Sequence, residues 1–298
     1  MPLYKWEEIE DTLITPSKSQ SRGKTIMGKH LLLQRVLHSE DRGDGTPGAN
    51  THSHPEEQIF IALKGKMRIR CVDEWFTMEE GDVFLMPANV EHEEICDGDF
   101  LWLNIKNRIP GHSWYDGSWV LGAQEKWEKI QVMFDEMDKK YKEKELFLRP
   151  KSCGLYNWDK LEETLITPSH TRSKGKTIMG KTMGIQQILH HEDRGDGYAG
   201  AKTHSHPKEQ IFIALKGEMR IRAGNEWFTM EEGDIFVMPP YIEHDEICDN
   251  DFLWFNIKNR IPGYSWYDHS WVSEGEWKTV ESMFDEMDKK YKEKTPWN

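Results

Sequence analysis

Two pairs of histidines, each pair spaced two residues apart, could contribute to metal binding. His52 and His54 form the first pair, and His204 and His206 form the second in a nearly identical stretch. Side chains alternate along a β-strand, so histidines at i and i+2 leave the same face of one strand. Two imidazoles on one face form part of a metal site, which a third ligand in the same run and a fourth from a neighbouring strand would complete.

The whole chain of 298 residues repeats with the same offset as the histidines, 204 − 52 = 152. Tyr4 matches Tyr156 and Trp119 matches Trp271 at this offset, which then falls to 150 through a two-residue deletion. A period this long exceeds that of solenoid repeats and indicates the tandem duplication of a whole domain. We predict one domain at residues 1–150 and a second at residues 151–298.

Short apolar segments separated by glycine and proline turns fill most of each copy. They predict strands near residues 24–27, 31–38, 58–63 and 100–105, which together favour an antiparallel barrel or sandwich. Each copy ends in a stripe of apolar residues at helical spacing, which predicts an amphipathic helix packed on the barrel or at a domain interface. The stripes are Trp127, Ile130, Phe134, Met137 and Tyr141, and Trp277, Val280, Phe284, Met287 and Tyr291.

A further histidine in each copy follows a glycine and a proline at matching positions. The first copy has Gly81, Pro87 and His92, and the second copy repeats this pattern up to His244. With these two motifs in this order and spacing, the sequence resembles the cupin superfamily. The resemblance implies an all-β bicupin: two tandem jelly-roll β-barrels, each with a metal in its mouth and each followed here by the predicted C-terminal helix. The implied ligands are His52, His54, Gln58 and His92, and His204, His206, Gln210 and His244.

Gln58 and Gln210 depart from the cupin pattern, which has glutamate at this position. The oxygen of an amide can offer a metal a lone pair but carries no negative charge. A site of three histidines and one glutamine therefore leaves a divalent ion its full charge. Such an ion is a stronger Lewis acid and lowers the pKa of bound water further. Imidazole and amide ligands suit Zn, Fe, Mn and Ni alike, so we predict one divalent transition metal per domain without assigning the element.

These features predict a metal-dependent enzyme that acts on a small oxygenated organic substrate. The glutamine favours redox-neutral chemistry, such as that of a lyase, isomerase, cyclase or hydrolase. The first alternative is an Fe(II)-dependent dioxygenase that cleaves a C–C bond of a diketone or phenolic substrate. The second is a non-catalytic metal-containing binding or storage protein. The resemblance also leaves assembly into a homo-oligomer open.

Other polar residues occupy matching positions on the strand predicted at residues 31–38 and on its counterpart in the second copy. His38 and Gln34 share one parity, as do His190 and Gln186, so we predict that they face the barrel mouth and take part in catalysis. An ordinary strand with polar residues facing outward explains the same pattern. Four histidines that occur in one copy only are interpreted as packed or surface residues: His30, His112, His170 and His269.

The composition restricts the partners of the chain. With 52 acidic and 39 basic residues the net charge is −13, which argues against a nucleic-acid surface. No apolar run approaches the length of a membrane span, and the start of the chain lacks the pattern of a signal peptide. The four cysteines do not indicate a disulfide framework, so we predict a cytoplasmic protein whose partner is a small-molecule substrate.

Overall fold

A computed structural model describes residues 3–141 and 153–291 of the chain, which consist mainly of antiparallel strands. The first half contains β1 (Leu3–Tyr4), β2 (Thr12–Leu13), β3 (Arg22–Met27), β4 (Leu31–His38), β5 (Gly48–His52), β6 (Gln58–Lys64), β7 (Lys66–Cys71), β8 (Glu74–Glu79), β9 (Asp82–Met86), β10 (His92–Cys96), β11 (Phe100–Asn107) and helix α1 (Ala123–Lys140). The second half contains β12 (Gly154–Asn157), β13 (Thr164–Leu165), β14 (Lys174–Met179), β15 (Met183–His190), β16 (Ala199–His204), β17 (Gln210–Lys216), β18 (Met219–Ala223), β19 (Glu226–Met230), β20 (Ile235–Met238), β21 (His244–Cys248), β22 (Phe252–Asn259) and helix α2 (Glu274–Tyr291).

Each half forms a large and a small sheet that pack face to face. The large sheets have the orders β12-β9-β6-β11-β4-β3-β2 and β1-β20-β17-β22-β15-β14-β13, and the small ones β5-β10-β7-β8 and β16-β21-β18-β19. In the first half, Phe60, Phe84 and Trp102 from the large sheet pack against Met67 and Ile69 from the small sheet. The predicted fold of two tandem jelly-roll barrels, each followed by a helix, is confirmed.

The outer faces of the two large sheets pack against each other and form the junction between the halves. Leu103 and Ile105 lie in one apolar cluster with Ile185, Phe255 and Ile257 of the second half. Strands β6 and β17 are therefore buried on both faces, which explains why each reads as an almost continuous apolar run instead of alternating.

The two halves exchange their first strands. β1 pairs with β20 of the second half, and β12 pairs with β9 of the first half. The predicted boundary at residue 150 falls within 142–152, outside the described residues, and it stays a prediction. A strict division there would assign β1 and β12 to halves whose sheets they do not join.

Helices α1 and α2 pack together across the same junction. Their apolar stripes form one cluster that includes Ile130, Phe134, Val280 and Phe284. Ion pairs fix each helix to the opposite barrel: Arg108 of the first half with Asp288, and Arg260 of the second half with Asp138. The predicted helices thus lie at the domain interface.

A buried carboxylate from each half accepts hydrogen bonds from the backbone of the other half. Glu209 receives the N–H groups of Lys29, His30 and Leu31 at 2.6, 2.7 and 2.8 Å. Glu57 in turn receives those of residues 181–183 at 2.7, 3.1 and 3.3 Å. Burial raises the pKa of both carboxyl groups, and the backbone N–H groups oppose that shift. These two residues connect the halves and lie on the strand face opposite the neighbouring glutamines.

A glycine leaves room for each of these carboxylates, and its replacement should destabilise the junction. A Cβ at Gly180 would lie 2.1 Å from Glu57 Oε1, so Gly180→Ala forces the carboxylate away from its donors. We expect a loss of about 1–3 kcal/mol in the free energy of unfolding, measured by chemical denaturation. Gly275→Ala is the matched control: its Cβ would meet no atom within 4 Å on helix α2, so stability should be equal or slightly higher. Equal stability of the two variants would contradict this account of the junction.

Cys71 at the end of β7 and Cys153 just before β12 form a disulfide with a Cα–Cα distance of 6.5 Å. The spacing of the cysteines does not predict this bond, because the two residues lie far apart in the chain and come near each other only through the strand exchange. Cys96 and Cys248 are free and buried. Within residues 3–141 and 153–291, no helix is long and apolar enough to cross a membrane. The cytoplasmic location stays a prediction.

Candidate metal centres

Two neighbouring strands and the segment that follows the first of them bring three imidazoles together in each half. In the first half, His52 ends β5 and pairs in register with His92, the first residue of β10. His54 lies beyond the end of β5, so the prediction that both histidines lie on one strand is wrong. Pro55 has no N–H to donate to a ladder, which fits the end of pairing before β6. The three rings nevertheless converge.

The first cluster is compact. One ligand atom from each of His52, His54 and His92 lies within 4.8 Å of the others. The ring centroid of His92 is 4.2 Å from that of His52 and 4.9 Å from that of His54. Nitrogen ligands about 2.0–2.1 Å from a common ion would lie within such a spread, so the three histidines fit one metal ion.

Backbone carbonyls fix the tautomer of each ring. The Nδ1 atoms of His52, His54 and His92 donate to the carbonyls of residues 50, 56 and 90 at 2.7, 3.0 and 2.8 Å. Burial lowers the pKa of His52 to about 3 and that of His92 to about 4, and it lowers the pKa of His54 as well. The rings are therefore neutral with a free lone pair on Nε2, which is the form that binds metals.

The side-chain oxygen of Gln58 lies beside the imidazole nitrogens of the first cluster. Its Oε1 lies 2.9 Å from His54 Nε2, while its amide nitrogen donates to Asn104 Oδ1 at 3.2 Å. Two acceptors thus face each other, because His54 carries its proton on Nδ1. His92 Nε2 is fully buried and has no hydrogen-bond partner among the described residues. A cation would satisfy all three atoms, so these residues fit the metal that the sequence predicts.

The second half repeats this arrangement closely. The corresponding ring centroids lie 4.1 Å apart for His204 and His244 and 4.9 Å apart for His206 and His244. Gln210 Oε1 is 3.0 Å from His206 Nε2. Each Nδ1 again donates to a backbone carbonyl, at 2.7, 3.0 and 2.8 Å. Burial lowers the pKa of all three rings, that of His244 to about 4.

Gln34 and Gln186 are buried inside their barrels, and Gln34 is hydrogen-bonded to a residue that contacts Gln58; the catalytic role of both stays a prediction. Asn104 donates to Gln34 Oε1 at 2.9 Å, and Gln34 donates to Thr25 Oγ1 at 3.3 Å. This chain of amides orients Gln58, since Asn104 accepts from it. Gln186 donates to Thr177 in the same way, at 3.2 Å.

His38 and His190 also face inward, near the other end of the strand. His38 contacts Ser21 Oγ through Nδ1 and stacks on Trp102 with ring centroids 5.5 Å apart. His190 makes the same contacts with Ser173 and Trp254, and it lines a cavity together with His204 and Gln210. Burial lowers the pKa of both rings to about 3. Their catalytic role stays a prediction.

Each pocket also contains a buried lysine and a buried glutamate that were not predicted from the sequence. Lys106 and Lys258 are 4% and 5% exposed and occupy the inward face of β11 and β22. Glu94 lies 3.9 Å from His92 Nε2, and burial raises the pKa of Glu94, and of its counterpart Glu246, to about 7. The period-two pattern contained the signal, since Lys106 follows Trp102 and Asn104 at steps of two.

Three of the single-copy histidines lie beside the clusters, so their interpretation as ordinary packed or surface residues is incomplete. His112 Nδ1 is 2.5 Å from Glu56 Oε1 in the first half. In the second half His170 stacks on His204 with ring centroids 4.7 Å apart, and the ring centroid of His269 lies 4.8 Å from that of His170. His30, the fourth of these histidines, packs against helix α2 instead, with its ring centroid 4.6 Å from that of Phe284. The surroundings of the two clusters therefore differ.

The sequence matches known families within both halves. A family model described as the cupin domain matches residues 43–106 and 195–257, which include all three histidines of each cluster. Gentisate 1,2 dioxygenase 1 of Aquipseudomonas alcaligenes is 22% identical over 72% of this chain and 66% of that protein. The chain thus spans slightly less than two thirds of that relative. The 3-hydroxyanthranilate 3,4-dioxygenase of Bacillus thuringiensis is 23% identical over 47% of this chain and 78% of that protein.

Solved structures share the fold. The formate complex of oxalate decarboxylase from Lactobacillus farciminis superimposes with a TM-score of 0.56 at 13% identity, covering 88% of this chain and 87% of that one. Identity at this level supports the arrangement of two barrels and carries no information about the substrate.

Proposed function

This chain belongs to the cupin superfamily and carries two cupin domains in tandem, and from this premise we propose that it is a metal-dependent enzyme acting on a small oxygenated organic substrate. Curated relatives named as dioxygenases support an enzyme over a storage protein. The buried polar groups around each cluster support it further, because a purely structural site would not need them.

One observation carries the proposal: in each half an amide oxygen and imidazole Nε2 atoms converge although all are acceptors. The ligands we assign are His52, His54, Gln58 and His92, and His204, His206, Gln210 and His244. A divalent ion bound there supplies a Lewis acid that polarises a substrate oxygen or lowers the pKa of bound water. We further propose that Gln34 and Gln186 are positioning residues, and that His38 and His190 contact substrate within the barrels.

The glutamine ligand favours redox-neutral chemistry. A carboxylate would offset part of the metal charge and stabilise a higher oxidation state, whereas the amide of Gln58 does neither. The second candidate is an Fe(II)-dependent dioxygenase, which the names of the curated relatives favour. Three histidines suffice as ligands in that case, with the glutamine weakly bound.

Metal analysis combined with oxygen uptake distinguishes the two candidates. We expect protein purified without added metal to contain close to two Zn or Mn ions per chain, one for each cluster. We also expect no oxygen consumption with a panel of diketones, phenols and catechols. Iron together with substrate-dependent oxygen consumption would instead establish the dioxygenase and reject the redox-neutral assignment.

A further inference from the structure

The two pockets carry opposite charges at one matching position beside the histidine cluster. Residue 56 is glutamate and its counterpart at the offset of 152 is Lys208, although both are almost fully buried, at 3% and 1% exposure. In the first half this position shares a cavity with three further residues that have counterparts in the second half. The cavity contains Glu56, Lys106, His112 and Trp114, and the counterparts are Lys208, Lys258, Tyr264 and Trp266.

Carboxylates balance the buried lysine in the first pocket. Glu56 and Glu94 both act on Lys106 through their negative charges. Glu56 Oε1 also contacts His112 Nδ1 at 2.5 Å, and its Oε2 lies 3.4 Å from His54 Nδ1. Two carboxylates thus act on one buried lysine, although among the described residues neither has an oxygen within 4 Å of Lys106 Nζ. The negative charges exceed the positive one, so the first pocket has no need of a negatively charged ligand.

The second pocket has two lysines and one carboxylate: Lys208 replaces Glu56, while Glu246, the counterpart of Glu94, acts on Lys258 through its negative charge. Lys208 Nζ lies 4.5 Å from the ring centroid of Tyr264 and 4.4 Å from that of Trp266, and Lys258 Nζ lies 5.7 Å from the same Trp266 ring. The charges that act on Lys208 are the like charges of Lys258 and Arg260. Across residues 3–141 and 153–291, no carboxylate oxygen lies within 4 Å of Lys208 Nζ.

A buried ammonium group without an anion is unfavourable by several kcal/mol and tends to lose its proton, whereas an anion bound beside it favours the charged form. The aromatic rings of Tyr264 and Trp266 attract a cation, but they do not neutralise it. Lys258 also lines the cavity that contains His204, Gln210 and Glu246. A lysine thus lies beside the proposed ligands in both halves, since Lys106 acts on His54 through its charge. The formal charges differ in their sum: Lys106, Glu56 and Glu94 give −1 in the first half, whereas Lys208, Lys258 and Glu246 give +1 in the second.

We propose that the second-domain pocket binds the carboxylate group of its ligand between Lys208 and Lys258, beside the histidine cluster, and that the first-domain pocket, which carries Glu56, does not. This inference deepens the proposed function, on which it rests for the role of the bound molecule as substrate. The ligand class is a small organic carboxylate, since aromatic rings flank both lysines and suit an organic body better than a fully hydrated inorganic anion. The duplicated domains then differ in substrate class.

Binding of acetate to the full-length, metal-loaded protein tests the proposal, with acetamide as a neutral probe of the same shape. Calorimetry should detect acetate binding and none by acetamide. Lys208→Met should weaken acetate binding at least tenfold, and adding Glu56→Lys to that variant should restore it by creating the second-domain pattern in the first domain. Equal affinity of acetate and acetamide, or undiminished acetate binding by Lys208→Met, would overturn the proposal. Displacement of acetate by an equal concentration of inorganic phosphate would also overturn it.

Two controls separate this inference from misfolding and from the metal assignment. Lys208→Met keeps the length of the side chain and removes a buried charge, so the melting temperature should not fall. Metal content is measured on the same samples and should stay at the wild-type value in every variant. Metal retained without acetate binding rejects the carboxylate site alone, whereas acetate binding without metal rejects the metal-dependent enzyme alone.

Discussion

Replacing His52 and His54 with alanine will lower the metal content of the protein from two ions per chain to one. The variant removes two of the three imidazoles that converge in the first half and leaves the second cluster intact. His92 and Gln58 alone would offer a divalent ion one imidazole and one neutral oxygen, too few for stable binding. Elemental analysis of purified, dialysed protein measures the result.

Matched variants in the other half make this prediction specific. His204→Ala with His206→Ala should also leave one ion per chain, and the variant with all four replacements should bind none. His191→Ala is the control, since His191 is an exposed histidine paired with Glu192 outside both clusters. Two ions in the variant lacking His52 and His54 would show that the first-half assignment is wrong.

The duplicated histidine motif allowed the centres to be predicted because the information is local. His52, His54 and Gln58 lie within seven residues, and His92 follows a glycine and a proline at a fixed distance. Antiparallel pairing then brings His92 opposite His52, as expected from neighbouring strands in a jelly roll. The charge difference between the pockets was visible only as Glu56 against Lys208. Its meaning depends on burial, which the sequence pattern does not report.

The strand exchange could not be predicted, since it depends on contacts between distant segments. β1 has only two residues, and a strand of that length leaves no detectable period. Its pairing with β20 and that of β12 with β9 depend on how two complete domains pack. The same holds for Cys71 and Cys153, which are 82 residues apart in the chain. Periodicity identifies faces, and it does not identify which distant face packs against which.

Adjacent residues at the start of β6, and again at the start of β17, serve the junction and the proposed metal centre. One side chain points to the other half and the next points into the barrel. Gln58 directs its amide into the barrel, while Glu57 directs its carboxylate to the backbone of residues 181–183. The backbone N–H of Glu57 donates to Asn107 Oδ1 at 2.6 Å, and Glu209 donates to Asn259 in the same way at 2.7 Å. Packing between the halves therefore fixes the strand residues that precede each proposed glutamine ligand.

Replacing Glu57 or Glu209 with glutamine should lower the free energy of unfolding by roughly 2–4 kcal/mol each. Both oxygens of Glu209 accept backbone N–H groups, two on Oε2 and one on Oε1. In the glutamine variant an NH₂ group replaces one of the two oxygens and faces the backbone N–H groups that bonded to it. At least one buried N–H therefore loses its acceptor and faces another donor. Hydrogen bonds to charged groups contribute about 1.5–3 kcal/mol each, which sets the size of the effect. Urea denaturation followed by tryptophan fluorescence measures it.

Glu80→Gln is the matched control, because Glu80 is an exposed glutamate in the turn before β9 and its replacement should change stability by less than about 0.5 kcal/mol. Glu57 and Glu209 accept from different segments, so the losses in the double variant should be close to additive. Metal content of the folded single variants should remain at two ions per chain, since neither residue contacts a histidine of the clusters. Stability within about 0.5 kcal/mol of wild type in both single variants would mean that the carboxylates do not hold the halves together, because exposed, weakly bonded residues show changes of that size.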